Sequence, residues 1–174
     1  MNPAGYLVNT PEGPVGERGL FYDYVLAGNG VFVEASDGRI RVRSLVAGCM
    51  VRGLPPLAPS LELAGGKPSQ MIFRQALTLM RLASPMELYV AITWTEEGYS
   101  LVVPPQQAGG AHVTYTRVPH TIISLHSHGV LPGFFSGTDN ADEQGLGVYG
   151  VVGRLDQLVP EVCIRIGVYG YMSL

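Results

Sequence analysis

The sequence predicts an α+β protein: a mixed, curved β-sheet flanked by helices, with a small β-rich appendage at the N-terminus. Three observations predict it. Twenty-three glycines and thirteen prolines in 174 residues cut the chain into short segments, which favours strands over long helices. Most of those segments are rich in aromatic and β-branched residues. One stretch, residues 68–83, repeats its apolar residues at helical spacing instead. With 47% apolar and 14% charged residues, the chain suits one well-packed domain, or a compact core with a smaller appendage.

The elements follow in order. The first residues, MNPAGYLVNTPEGPVGE, read as a polar tail. LFYDYVLA, GVFVEAS and RIRVRSLVAG then read as a three-stranded meander, separated by Gly28-Asn29-Gly30 and Ser36-Asp37-Gly38 with hairpin-type turn chemistry. In RGLPPLAPSLELAGGKP the recurring prolines exclude a regular helix, so this segment connects two parts, residues 1–66 and 67–174. A helix is expected from about Pro68 to Ala83, with Ile72, Ala76, Leu79, Met80 and Ala83 at helical spacing and Pro68 and Ser69 in its first turn. MELYVAITW and YSLVVPP read as strands joined at Thr95-Glu96-Glu97-Gly98. Residues 113–117 and 121–125 give two short strands, and GVYGVVGRL and VCIRIGVYGYM the last two.

Bulk properties exclude several classes. A net charge of −3 offers no basic footprint for nucleic acid. No apolar run approaches the roughly 20 residues that span a bilayer, so no membrane segment is expected. The N-terminus lacks the charged start and apolar stretch of a signal peptide, and a cytoplasmic location is the default expectation. Cys49 and Cys163 lie in apolar, strand-like surroundings and are expected to be buried free thiols, with a single disulfide as the alternative.

Chemistry concentrates in residues 126–139, HSHGVLPGFFSGTD. In an extended segment side chains alternate faces, so His126 and His128 point the same way and can share one cation. Asp139 adds a carboxylate, giving three ligands of the types that suit Zn²⁺, with a fourth position left for water. This pattern points to a metal-activated water and hence to hydrolysis. Ser136-Gly-Thr-Asp139 also reads as a capping box opening a short helix, and that role is compatible with a site role. Hydrolysis needs a base as well. Glu34, Glu87, Glu96 and Glu97 are the upstream candidates. Glu96 and Glu97 fall in an apparent hairpin turn and Glu34 in the N-terminal part. Glu87 begins the apolar run LYVAITW, where a charge has no evident structural use, and is the preferred base.

These residues resemble the motif of the JAB/MPN domain of the JAMM metalloprotease family: an upstream Glu, then His-Ser/Thr-His, seven residues, and Ser-x-x-Asp. Here it falls on Glu87, His126-Ser127-His128, Ser136 and Asp139, with the seven-residue interval intact, and A-S-P-M-E is similar to the family's entry to the glutamate strand. The resemblance covers about residues 68–174. The flanking runs DYVLAGNGVFVEA, VRGLPPL and HSHGVLPGFFSGTDNAD resemble the bacterial Prok-JAB branch, in particular the group called PRTRC system protein A.

The resemblance implies a JAB/MPN-like (cytidine deaminase-like) fold and a zinc-dependent peptidase or isopeptidase. His126, His128 and Asp139 would hold Zn²⁺, Glu87 would act as general base and then protonate the leaving amine, and Ser136 would hydrogen-bond the oxyanion. Ser127 would orient rather than react. The implied substrate is a peptide or protein, a ubiquitin-like partner being one class. Some features depart from the family pattern. Gly129 stands where many members have proline, a change expected to loosen that loop. The interval from Glu87 to His126 is short and carries no long insertion, so ubiquitin specificity does not carry over. His112 and His120 are expected to be surface or structural residues. Two other functions stay open: a non-catalytic scaffold or binding module of the same fold, and a hydrolase of a small amide or thioester. The N-terminal part reads equally as a partner surface or as an extension of the core sheet.

Overall fold

The computed structural model describes residues 2–108 and 113–173. Among these residues the protein is α+β, mostly strands, with mixed sheets and two helices. The N-terminal strands are β1 (Ala4–Thr10), β2 (Gly13–Glu17), β3 (Tyr22–Ala27), β4 (Gly30–Ser36), β5 (Ile40–Gly48) and β6 (Ser60–Leu63). They form one sheet in the order β2-β1-β3-β4-β5-β6, in which only β1 and β3 run parallel. The expected meander is β3 to β5, with a strand pair added on one side and β6 on the other.

The opening residues are therefore a hairpin rather than a tail. Leu7 is buried while Tyr6 and Val8 are exposed, the alternation of a half-buried strand. Buried Asn9 is accommodated because its amide donates to the Pro55 carbonyl at 3.0 Å. Leu7, Val25, Ala27 and Phe32 form the core here, with Leu57 packed against it.

The helix α1 (Gln70–Ala83) starts after Ser69 and buries Ala76 and Met80. They pack with Val90, Ile92, Leu125, Val152 and Leu155 into a second core. The chain continues through β7 (Tyr89–Thr95), β8 (Gly98–Val102), β9 (Gln106–Ala108), β10 (Val113–Tyr115), β11 (Thr121–Ser127), α2 (Gly137–Asp142), β12 (Leu146–Gly153), β13 (Glu161–Val168) and β14 (Tyr171–Ser173). A sheet of order β14-β13-β12-β11-β7-β8 results, mixed because β11 runs parallel to β12 and antiparallel to β7. Seven of the eight residues of β12 are buried, as a strand with a parallel neighbour requires.

Contacts divide the described residues into two compact units: residues 2–64, 144–146 and 166–173, and residues 65–108, 113–143 and 147–165. Residues 144–146 and 166–173, expected within the second part, thus group with the N-terminal strands. The run VCIRIGVYGYM, expected as one strand, is broken into β13 and β14 at Tyr169 and Gly170, both with positive φ (46° and 94°). Aromatic packing explains the break. Tyr169 stacks on Tyr22 at 5.6 Å, the Tyr24 and Tyr171 hydroxyls meet at 2.5 Å, and Ser44 hydrogen-bonds Ser173 at 3.0 Å.

Both cysteines are free, but neither is buried as expected. Cys49 is exposed, lying just past the end of β5 where that strand has left the core, and Cys163 is half-buried on β13. No helix among the described residues is long and apolar enough to cross a membrane.

Candidate metal centre

β11 is paired on both edges, and the pairing continues through its last residues. His126 lies opposite Val151 of β12 and Tyr89 of β7. Ser127 is fully buried: its N–H donates to the Leu88 carbonyl, and its Oγ accepts from the Leu88 N–H, both at 3.0 Å. The His128 N–H donates to Val152 at 2.9 Å. Extended backbone thereby puts His126 and His128 on one face, each 8% exposed, with their Nε2 atoms 3.2 Å apart.

His128 Nδ1 lies 3.3 Å from the Pro132 carbonyl, which can only accept; a proton on Nδ1 satisfies that contact and would leave Nε2 for a ligand role. Burial pulls the His126 imidazolium down to about 4, outweighing the attraction of Asp139, and His128 and Arg165 push the same way. The His126 ring can thus present the neutral nitrogen that binds metal.

The turn after His128 is pinned rather than loosened. Gly129 has φ +57°, which proline cannot adopt, and a Cβ there would stand 2.8 Å from the Pro85 carbonyl oxygen. The Gly129 carbonyl accepts from Leu155 at 2.9 Å, and Leu131 exchanges the chain onward by accepting from Arg154 at 2.8 Å.

α2 then brings a carboxylate to the two histidines. Ser136 Oγ accepts from the Asp139 N–H at 3.2 Å, and Asp139 Oδ2 accepts from the Ser136 N–H at 2.6 Å, a complete capping box. Its other oxygen, Oδ1, lies 3.2 Å from His126 Nε2. One donor atom from each of His126, His128 and Asp139 lies within 4.8 Å of the others, so the group could hold a metal ion.

Glu87 and Ser136 line the same cavity of about 260 Å³ as these three residues. Glu87 is buried and lies in the link between α1 and β7, two residues short of the strand it was expected to begin. The other candidate bases lie elsewhere. Glu34 is ion-paired to Arg43 on neighbouring strands, and Glu96 and Glu97 are exposed in the turn between β7 and β8. His120 is exposed in the turn before β11, and His112 lies outside the described residues.

Tyr89, Tyr115 and Glu143 are among the lining residues that were not anticipated. Tyr89 and Tyr115 stack with ring centroids 3.5 Å apart, and burial raises both phenols, so they serve as walls rather than bases. Glu143 is also buried; desolvation lifts its carboxyl to about 7 against the opposing pull of Arg165. In sequence Tyr89 looks like ordinary strand core, and Glu143 ends the acidic run DNADE, which looks like a solvated helix face. No family model matches this chain, and no curated protein matches it.

Proposed function

We propose that this protein is a zinc-dependent hydrolase of the JAMM type with a JAB/MPN-like fold, cleaving a peptide or isopeptide bond. The observation that carries the reading is convergence: two imidazole nitrogens and one carboxylate oxygen meet in a cavity that also holds Glu87 and Ser136.

The donor set fits zinc. Tetrahedral ligands at the bond lengths zinc adopts stand roughly 3.3 Å apart. The His126–His128 and His126–Asp139 donor pairs are each separated by 3.2 Å. Held there, Zn²⁺ supplies a Lewis acid for the scissile carbonyl and for water. The chain's own residues do the rest. The Glu87 carboxylate takes a proton from the attacking water and returns it to the leaving nitrogen. Ser136 Oγ already accepts the capping N–H of Asp139, so its hydroxyl proton is left to donate to the carbonyl oxygen as that atom gains charge. Ser127 ties Leu88 to the end of β11, and so fixes the backbone beside Glu87 against the histidines.

The test pairs metal content with activity. Purified protein is expected to carry one zinc per chain. Against a panel of ubiquitin-like fusions, peptides and a small thioester, Glu87→Gln should lose roughly 10²–10⁴-fold in turnover at unchanged zinc content. Absence of stoichiometric zinc in the wild type would overturn the reading.

A further inference from the structure

Asp139 rides on a helix of six residues, too short to hold itself together in isolation. Its neighbours are gripped from a separate strand. Arg165, on β13 and 6% exposed, reaches three residues around the motif. Its guanidinium carbon lies 3.8 Å from the centre of the Phe135 ring, immediately before Ser136. Nη1 donates to Asn140 Oδ1 at 2.5 Å, immediately after Asp139. Nε donates to Glu143 Oε2 at 2.8 Å, at the C-terminal cap of α2. Nη2 lies 2.6 Å from the same oxygen without a hydrogen-bonding angle, closing an ion pair.

We propose that Arg165 is a positioning residue for the metal centre: one guanidinium clamps Phe135, Asn140 and Glu143, and so fixes Ser136 and Asp139 toward the two histidines. Stability alone is a poor reason for the arrangement. A buried ion pair recovers its desolvation cost only with good geometry, and apolar residues of similar volume often hold a fold as well. What apolar side chains cannot do is hold three partners at fixed angles. The planar fork of arginine does this, and lysine, a point charge on a flexible stem, does not. The three partners bracket the Ser136–Asp139 cap on both sides, which is the placement needed to set one carboxylate against a ligand pair supplied by another element.

The inference rests on the metal-centre reading, so its test has one arm that needs no metal. In the first arm, Zn²⁺ affinity of the full chain is measured by competition with a chromogenic chelator. Arg165→Lys, and the double variant Arg165→Met with Glu143→Leu, should bind Zn²⁺ roughly 10–100-fold more weakly, as removal of a group that orients a ligand does. The double variant leaves no buried charge unpaired, so its zinc-free melting temperature should stay near that of the wild type. In the second arm, amide exchange of zinc-free protein should show lost protection at residues 137–143 in both variants and none lost at residues 122–128. Wild-type zinc affinity in both variants overturns the proposal, as does unchanged exchange at residues 137–143. If wild type binds no zinc, the metal-centre reading fails, and the exchange arm still decides whether Arg165 holds the segment.

Discussion

His126 lies on a strand hydrogen-bonded along both edges and His128 just past its end, while Ser136 caps and Asp139 belongs to a six-residue helix. The two halves of the motif are ordered by different means. The strand half inherits its geometry from long-range ladders that also bury Leu125, Val151 and Val152. The helix half is made locally, by two reciprocal hydrogen bonds and an arginine from elsewhere in the chain. The strand half is thus built into the sheet, and the helix half is expected to be the part whose order changes without unfolding the protein.

The largest expected effect separates the halves directly. His126→Ala and Asp139→Ala should both abolish stoichiometric zinc, measured by elemental analysis. Only Asp139→Ala should also strip exchange protection from residues 137–143, because Asp139 is half of the cap and His126 is not. Equal loss of protection in both variants would break the distinction.

Next in size is the response to acid. The His126 imidazolium is held down to about 4 from an ordinary 6.5, so the folded state stays neutral where the unfolded chain takes up a proton. The contribution of His126 to the stability of zinc-free protein should be full above pH 6.5 and be lost as pH drops from there toward 4, by a few kcal/mol at most. Glu143 acts in the opposite sense: its carboxyl is raised to about 7, so its cost accrues as pH climbs from 4.5 to 7. Urea titrations of wild type and His126→Ala across this range separate the two, and a curve unaffected by His126→Ala would count against the burial of that ring.

Smaller effects probe each half in turn. Ser127→Ala removes the side-chain acceptor of the Leu88 N–H and should cost about 1–3 kcal/mol, with turnover falling while zinc stays bound. Ser136→Ala removes the cap acceptor and should cost about 1 kcal/mol, read in thermal denaturation. A Ser127→Ala variant no less stable than wild type would show that the strand half is not the rigid one.

What could be read in advance follows the same division. The strand half was legible because period-two alternation and the i, i+2 histidines need only local geometry. The capping box was legible because Ser-x-x-Asp is a local signal too, and the structure contains it. The Glu143 environment was not, since its burial depends on Arg165, 22 residues further on. The C-terminal hairpin was hidden for a similar reason. Tyr169 and Tyr171 bend the chain to reach Tyr22 and Tyr24, partners far off in sequence that no window around residues 162–172 contains. β1 escaped notice because Gly5, Asn9 and the following Pro11 suggest a loop, whereas the strand's parallel pairing to β3 is a long-range fact. Gly129 looked like a loosened proline position and is instead a residue that the turn's positive φ demands.

The capping box also ties one carboxylate to a single turn. Asp139 spends Oδ2 on the Ser136 N–H and keeps Oδ1 toward His126, 3.2 Å away, so the place of that oxygen beside the ring depends on the turn being closed. If the site holds an ion as proposed, opening the turn would withdraw one of its three ligands, and weakening the cap should shorten the stay of the bound ion.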